Sequence, residues 1–543
     1  MTQLDGSLGE TSNEFHYAYD QAGRLRHAAF AQTPQSHMTG WPYYTGQDPA
    51  QTRAHTLYSY DGAGRSTGVE TYFQTWNPTL ADYEGQSKIA QGYLYDERGL
   101  RSSQQFLSGV PGGPEWSTLR TETYTYEPQR GYLTSVNYGD GSPVSTWTYD
   151  LAGNRASWNL SVGPYLYDNL NRFTYHPNTT YTNDLLGNRT WENYGLPGGK
   201  RYVYDELSRA TSICGETDGA AYEYRADGMR VEKVSGLTIT WNPADKTHRS
   251  GWYDQNWSVN KATTRYFYDG QMCMEEDFMP EAGGNGEPSV TRYGLGARGI
   301  DMIERTTAQG ATRAYPLYDG HGNMLATISL SGALANQRHY DVWGAVRAEQ
   351  DVDAVNPRGQ YVANLGHQTD VESNLIYMRA RYYDPGTARF VTEDPARDGV
   401  NWFVYCNNDP VNTVDADGRA WDTFEALWRS IAPLLSSFGL RGMLGIGTKF
   451  GARMLGKALV AVGFVLARVG YGMASYARIL AQSENFFARI GGAVLGRLRA
   501  KAVAASLSIR SVGYFMEAFG SDVPFGPTKG WREIDFDDWI FPN

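Results

Sequence analysis

Cysteine and histidine are scarce in this 543-residue chain. Its three cysteines, Cys214, Cys273 and Cys406, are scattered, so the sequence offers neither a disulfide framework nor a paired-cysteine zinc motif. All nine histidines precede residue 368, which leaves residues 419–543 without histidine or cysteine. That absence excludes HNH nucleases, zinc deaminases and cysteine-nucleophile enzymes from this C-terminal part. We expect no metal and no cofactor.

Long apolar runs are missing as well. The first ten residues show no basic start and no apolar segment, so no secretory signal peptide is visible. No stretch approaches the roughly 18 uninterrupted apolar residues of a clear transmembrane helix.

Acidic and basic residues are divided unevenly along the chain. Residues 419–543 hold 15 Lys and Arg against 9 Asp and Glu, a net charge of +6. The preceding residues carry a net charge of −17, because the whole chain has −11. Two parts of different kind are therefore predicted, and the acidic part gives no support for nucleic-acid binding.

Tyrosine and glycine are abundant, at 39 and 61 residues, and many of them fall in a repeated pattern. The unit is Y-x-Y-D-x-x-G-[RN]-[LR], with uneven spacing. Its copies include Tyr17–Asp20, Tyr58–Asp61, Tyr93–Asp96, Trp147–Asp150, Tyr165–Asp168, Tyr202–Asp205 and Tyr266–Asp269, with shorter copies at Tyr318-Asp319 and Tyr340-Asp341.

The chemistry of this unit predicts a β-hairpin. Two tyrosines at i and i+2 lie on one face of a strand, and the aspartate can bind backbone N–H groups in the following turn. The glycine three residues later supplies a positive φ. A single hairpin cannot bury its aromatic face, so consecutive hairpins should stack. We expect the tyrosines to be packing residues, while a sugar-binding aromatic surface is the alternative.

A second motif follows the repeats and ends at Gly418. It comprises Arg379-Ala380-Arg381-Tyr382-Tyr383-Asp384-Pro385, Arg389-Phe390, Asp394-Pro395, Asn407-Asn408-Asp409-Pro410 and Val414-Asp415-Ala416-Asp417-Gly418. Together with the Y-x-Y-D repeats, it resembles the RHS/YD-repeat family and its RHS-associated core, which also includes the Tc toxin C components and the teneurin YD shells. The repeat resemblance covers roughly residues 15–418.

The resemblance implies a mainly β fold, in which YD-repeat hairpins form a spiral shell or barrel. We assign residues 1–365 to the repeat shell, 366–418 to the core that closes it, and 419–543 to a mainly α-helical variable tail. In the family, the segment after the core is often a toxin effector held by the shell, which implies a bacterial protein that is secreted or delivered by a route without a signal peptide.

Self-cleaving family members use two core aspartates as an aspartyl-protease-like pair. The matching positions are Asp394 and Asp415, and the matching scissile bond is Arg419–Ala420. Two carboxylates held close together cannot both ionise, so one can act as an acid while the other activates water. Arg389 or Arg397 could orient the pair. No other enzyme motif is present.

Three departures from the family pattern bear on that activity. Ala416 replaces a proline, Arg419 replaces a leucine before the scissile bond, and Ala388 precedes Arg389 where the family has glycine. The alternative role for Asp394 and Asp415 is to cap the turns that close the last coils.

The tail has helical periodicity and basic character. Trp421, Phe424, Leu427, Trp428 and Ile431 follow three-to-four spacing, and no acidic residue occurs between Ala426 and Ser483. Cationic amphipathic helices are typical of membrane-active segments, so residues 421–507 are predicted to contact a membrane. A helical bundle docked on the acidic shell is the alternative.

Two main functions remain open from the sequence, and a cytoplasmic enzyme acting through the tail is a third, which the missing histidine and cysteine disfavour. The first is an RHS-type shell that carries a membrane-acting toxin, with its own tail inside or against the shell and an immunity protein as partner. The second is a non-enzymatic adhesion scaffold that binds glycans or proteins, with the tail as a plug or anchor. We expect no nucleic-acid partner in either case.

Overall fold

The structure, a computed structural model, describes residues 2–6, 13–32, 53–77, 82–109, 116–161, 163–176, 179–193, 198–242, 252–283, 286–353, 355, 357–397 and 400–419. The chain divides into two units, Met1–Trp421 and Asp422–Asn543, and every described residue belongs to the first. The predicted helical tail, including the membrane-contacting stretch 421–507, lies outside the described residues except for Arg419.

The described residues form a mainly β structure, which confirms that part of the predicted fold class. A first sheet has eleven strands, each paired with the next in sequence: β1 (Thr2–Gly6), β2 (Asn13–Tyr19), β3 (Leu25–Gln32), β4 (Arg53–Tyr60), β5 (Ser66–Asn77), β6 (Asp82–Tyr95), β7 (Arg101–Gly109), β8 (Trp116–Tyr126), β9 (Leu133–Asn137), β10 (Ser145–Tyr149) and β11 (Arg155–Trp158).

A second sheet continues the same order with fifteen strands: β12 (Leu166–Tyr167), β13 (Phe173–His176), β14 (Thr179–Asn183), β15 (Arg189–Glu192), β16 (Lys200–Tyr204), β17 (Ala210–Cys214), β18 (Gly219–Tyr224), β19 (Arg230–Asn242), β20 (Trp252–Asp269), β21 (Met272–Pro280), β22 (Ser289–Gly296), β23 (Gly299–Thr307), β24 (Gly310–Tyr318), β25 (Met324–Ile328) and β26 (Leu334–Ala335).

The last elements are shorter. They are the pair β27 (Gln337–Tyr340) and β28 (Val346–Gln350), and a four-stranded sheet of β29 (Gln368–Asp370), β30 (Leu375–Met378), β31 (Arg381–Asp384) and β32 (Arg389–Phe390). Two 3₁₀ turns span Ala363–Leu365 and Cys406–Asn408. Within the described ranges, the neighbouring strands of every sheet follow one another in sequence, as predicted for stacked hairpins.

An aspartate organises most of the Y-x-Y-D turns. Asp205 accepts the backbone N–H groups of Leu207 at 3.0 Å and Arg209 at 2.9 Å through Oδ1, while its Oδ2 accepts Arg209 Nε at 2.7 Å. Ser208, which takes the glycine position here, has φ 61°. The bond from the side-chain Oδ1 to the backbone N–H four positions on recurs at Asp20, Asp61, Asp96, Asp150, Asp168, Asp184, Asp319 and Asp341. The predicted role of the aspartate is therefore confirmed in these turns.

The second tyrosine of most units ties one hairpin to the previous one. The Tyr224 hydroxyl donates to the Ala210 carbonyl at 2.7 Å, and Ala210 lies five residues after Asp205. Equivalent bonds join Tyr60 to Leu25, Tyr95 to Ser66, Tyr126 to Arg101, Tyr149 to Leu133, Tyr167 to Arg155, Tyr268 to Arg230, Tyr318 to Ile300 and Tyr340 to Met324. These hairpins are thus bound to their predecessors by a side chain as well as by the sheet.

The first tyrosines of the units belong to the interior. Tyr17, Tyr93, Tyr202, Tyr222 and Tyr266 are all buried. These residues pack in the core, as expected, and give no exposed aromatic surface to which a sugar could bind.

The core segment 366–419 packs across distant strands of both large sheets. Arg230 of β19 is fully buried and donates to Asp370 Oδ2 at 2.5 Å and to the Tyr382 hydroxyl at 2.9 Å. Arg189 of β15 pairs with Asp384 at 2.7 Å. These buried ion pairs link residues some 140 to 195 positions apart in the chain, so they fix the core segment against the repeats.

We expect Asp205→Ala to destabilise its turn by about 2 kcal/mol, because two backbone N–H groups and the Arg209 guanidinium lose their acceptor. Hydrogen exchange should show faster exchange at the amides of Leu207 and Arg209. Leu207→Ala, an exposed change in the same turn, is the control and should leave both amides protected. Equal protection in the two variants would show that the aspartate does not hold the turn.

Candidate functional site

Asp394 lies in the loop that follows β32. Its backbone N–H donates to the Trp402 carbonyl at 3.0 Å, and its Oδ1 accepts the N–H of Ala396 at 2.9 Å. Only 4% of the residue is exposed. The loop therefore fixes this carboxylate in the interior of the core segment.

Asp415 lies near the end of the described chain and is 1% exposed. Its Oδ1 accepts the N–H groups of Gly418 at 2.8 Å and Asp417 at 3.3 Å, while Arg381 Nη2 donates to Oδ2 at 3.3 Å. Burial raises the pKa of Asp415 to about 6, although the positive charge of Arg381 opposes this shift. Near pH 6 this carboxyl therefore exists in both protonated and ionised forms.

The guanidinium of Arg381 lies between Asp415 and the Asp394 loop. Its Nη2 donates to Asp415 Oδ2, and its Nη1 donates at 2.9 Å to the Trp402 carbonyl, which also accepts the Asp394 N–H. Burial lowers the pKa of Arg381, and the negative charges that oppose this effect are those of Asp415, Asp394 and Asp417, in that order.

Arg389 and Arg397, which were predicted from the sequence to orient the pair, do not take the position of Arg381. Arg389 donates to the side chain of Asn154 at 3.0 Å and to the Asn171 carbonyl at 2.8 Å. Arg397 lies over the Trp402 ring, with 67% of its side chain exposed. The prediction that either of them orients the pair was wrong, because Arg389 in β32 and Arg397 in the loop after it both point toward other partners.

Three consecutive residues hold the segment that leads to the predicted scissile bond. Arg379 donates to the Ala416 carbonyl, the Ala380 N–H donates to the Asp417 carbonyl at 3.1 Å, and Arg381 Nε donates to the Gly418 carbonyl. All of these bonds use backbone acceptors that any residue provides. Alanine in place of proline at position 416 therefore leaves them intact.

The glycine at position 418 is required by its surroundings. It has φ 74°, and a Cβ there would collide with the Met378 carbonyl. Its successor Arg419 donates its N–H to Asp417 Oδ1 at 3.1 Å. Ala420, the other side of the predicted scissile bond, lies outside the described residues.

The chemistry available at this site is that of acids and bases. It holds two buried carboxylates, of which at least Asp415 can carry a proton near pH 6. Within the part of the chain that the structure describes, no group of three or more His, Cys, Asp or Glu is arranged to hold a metal. The same residues include no helix long and apolar enough to cross a membrane.

Arg381 belongs to the R-x-R-Y-Y-D-P motif, but the sequence analysis did not identify it as a site residue. Its place in that motif could have indicated this role, because β31 brings it beside the end of the core. Closeness in sequence to Asp394 favoured Arg389 and Arg397. The pairing of β31, however, places Arg381 beside the end of the core.

No protein-family model matches the chain. Among curated proteins, tRNA nuclease WapA of Bacillus subtilis strain 168 is 28% identical over 304 residues, which are 53% of this chain and 11% of WapA. RhsA of Dickeya dadantii, named as a probable deoxyribonuclease, is 25% identical over 426 residues, which are 74% of this chain and 24% of RhsA. This chain thus spans less than a quarter of the length of either relative.

Among solved structures, a chain of the TcdB2–TccC3–Cdc42 crystal structure aligns with 77% of this chain and 21% of its own length, at 18% identity and a TM-score of 0.48. A chain of the TcdB2–TccC3 crystal structure aligns with 75% of this chain and 24% of its own length, at 14% identity and a TM-score of 0.38.

Hairpins closed by Asp-centred turns, with a buried R-x-R-Y-Y-D-P segment packed across them, define a YD-repeat protein with a core segment. The similarity to WapA and RhsA, together with these features, confirms the predicted resemblance to the RHS/YD-repeat family. The names of these relatives describe action on nucleic acids, so the expectation of no nucleic-acid partner is not confirmed.

We expect the buried Asp415 carboxyl to make the fold less stable as the pH rises. Its pKa is raised on folding, so the folded state binds more protons and the stabilisation is present below the unfolded value and lost as the pH rises through about 6. The difference should reach about 3 kcal/mol. This contribution of Asp415 can be measured by thermal unfolding between about pH 4 and about pH 7, in which the single variant Asp394→Asn is compared with the double variant Asp394→Asn/Asp415→Asn.

The double variant should show a flatter decline of stability across this range. The matched control is Asp394→Asn/Asp227→Asn. Asp227 is an exposed carboxyl whose pKa is lowered by Arg225, in contrast to the raised pKa of Asp415. An identical pH slope with and without Asp415 would contradict the raised pKa.

Proposed function

We propose that this chain is the shell-and-core part of an RHS-type toxin that cleaves its own backbone at Arg419–Ala420 and so separates the segment that follows. The observation that carries the proposal is the arrangement around the buried Arg381, which donates to Asp415 and to the Trp402 carbonyl that also accepts the Asp394 N–H, beside a segment held up to Gly418. The shell would be the spiral of YD hairpins expected from the repeats.

In the proposed reaction, the ionised aspartate takes a proton from a water molecule, whose oxygen attacks the Arg419 carbonyl carbon. The protonated aspartate donates its proton as the Arg419–Ala420 bond breaks. The products are a carboxyl group on Arg419 and an amine on Ala420, so one water is consumed. We assign the role of the acid to Asp415, because burial keeps its pKa at about 6.

The released segment would be the toxin effector. Its cationic, amphipathic sequence supports action on an anionic membrane. The names of WapA and RhsA support a nuclease as the second candidate, although the segment has no histidine or cysteine. A producing cell would need an immunity protein in either case.

The intact mass of the purified protein should show two fragments, 1–419 and 420–543. We expect Asp394→Asn and Asp415→Asn each to leave a single chain, because neither water activation nor proton donation can then be completed. Cleavage of the parent should be fastest in mild acid and should slow as the pH rises above about 6, where Asp415 loses its proton.

Asp409→Asn is the matched control for this experiment. Asp409 is also buried in the core segment with a pKa raised by burial to about 6, yet it contacts Asn412 rather than Arg381. It should leave cleavage intact. An uncut parent at every pH, or cutting that survives both site substitutions, would overturn the proposal.

The cleaved preparation should release dye from vesicles that contain anionic phosphatidylglycerol, whereas the uncut Asp394→Asn chain should not. The reason is that separation frees a cationic amphipathic segment to bind the lipid surface. The same two preparations are incubated with transfer RNA and with duplex DNA. Degradation of either nucleic acid without vesicle leakage would replace the membrane-acting effector with a nuclease.

A further inference from the structure

Residues from three parts of the described chain enclose a small polar cavity. Arg101 and Gln104 belong to β7, His321 to the turn between β24 and β25, and Val411 to the core segment. The cavity measures about 40 Å³. One water-sized group takes roughly 10–15 Å³ of such space, so the cavity accommodates about three of them and is too small for a phosphate or sulfate group.

Arg101 brings a buried positive charge to this cavity. It is 7% exposed, its guanidinium lies 4.4 Å from the centre of the Tyr93 ring, and its Nη1 donates to Gln104 Oε1 at 3.3 Å. Within the described ranges no carboxylate forms an ion pair with Arg101, and the negative charge of Asp319 acts on it from beyond ion-pair distance. Because a buried charge without a paired partner is strongly unfavourable, Arg101 favours an anion beside it.

Three N–H donors among the lining residues have no acceptor in the part of the chain that the structure describes. They are Arg101 Nε, Gln104 Nε2 and His321 Nε2. The Gln104 oxygen accepts Arg101 Nη1, so the amide nitrogen turns away from the guanidinium. Burial lowers the pKa of His321 to about 4, so its ring is neutral and donates from Nε2 in one tautomer. Buried donors of this kind require an acceptor.

The carboxylates around the cavity already have partners in their own elements. Asp319 accepts the backbone and side-chain N–H groups of Asn323 at 3.0 Å and 2.9 Å, and Glu122 contacts His339 Nε2 at 2.9 Å. Burial raises the pKa of Asp341 to about 6, so below that pH this carboxyl is largely uncharged. The unsatisfied groups are therefore donors, and an anion rather than a cation matches them.

We propose that this cavity binds one small inorganic anion of halide size, which pairs with Arg101 and accepts the N–H groups of Gln104 and His321. The bound anion joins β7 to the Asp319 turn beside the core segment and supplies the negative charge that Arg101 requires. This inference does not depend on self-cleavage.

Thermal unfolding of the full-length protein tests the proposal, with bromide as the ligand and gluconate, which is too large for the cavity, as the reference anion at equal ionic strength. The pH is kept below about 6, so that Asp341 is largely protonated. Raising bromide from about 1 mM to about 100 mM should increase Tm relative to gluconate by about 3 °C and then saturate, because the ion binds only the folded state.

Gln104→Leu and Gln105→Leu separate binding in the cavity from the general effect of the salt. Gln104 is buried and lines the cavity, whereas Gln105, its neighbour in β7, is exposed on the opposite face. The Tm increase should be lost in Gln104→Leu, which removes one donor and the acceptor beside Arg101, and retained in Gln105→Leu. Equal responses of the two variants to bromide would overturn the inference.

A crystal of the parent protein grown in bromide should place the ion. Anomalous scattering from bromine should show one site in contact with Arg101 and Gln104. Ordered water alone in the cavity would overturn the inference, as would the same Tm in bromide and in gluconate. Should Gln104→Leu not fold, the position of bromide in the parent crystal decides.

Discussion

The hydrogen bonds that the aspartate of a Y-x-Y-D turn accepts are the interactions on which the repeat structure depends. Its carboxylate holds the backbone of its own turn, and the carbonyl that follows the turn accepts the tyrosine hydroxyl of a later hairpin, as Ala210 does from Tyr224. Stabilisation is thus local at the turn and nearest-neighbour between hairpins, as in other stacked repeats. This explains why hairpins of unequal length fit one meander. The loops vary in length, whereas the carbonyl that accepts the tyrosine hydroxyl lies five residues after the Asp of its turn.

The core segment requires a different kind of interaction because it packs on strands distant in sequence. Strand β31 shows how one short element serves two purposes. Successive side chains of a strand point to opposite faces. Tyr382 and Asp384 reach the buried arginines of the second sheet, Arg230 and Arg189, while Arg381 on the other face reaches Asp415. Since an unpaired buried charge is strongly unfavourable, the pairs on the sheet side also fix where Arg381 lies.

The sequence was sufficient for the hairpins, whereas the catalytic role of the two aspartates stays a prediction. The Y-x-Y-D spacing contains the whole hairpin turn, since its bonds lie within five residues. Asp394 and Asp415 came from a family motif, and the cation beside Asp415 is Arg381, which the sequence analysis did not identify. Arg389 and Arg397 were chosen for closeness in sequence to Asp394, whereas the actual contact comes from the pairing of β31, which no local pattern encodes. Helicity of the tail stays a prediction, because those residues lie outside the described part.

The bonds of Asp415 help to decide between capping and chemistry. An asparagine side chain would accept the N–H groups of Gly418 and Asp417 as well as the carboxylate does, so turn capping alone does not require an acid here. What the carboxylate adds is its ion pair with Arg381, and burial disfavours the charged form of both partners. A buried pair of this kind is weak evidence for stability. A proton held with a pKa of about 6 is, however, what acid–base chemistry at a backbone bond requires. The pair therefore favours the proposed self-cleavage over turn capping as the reason for an acid at this position.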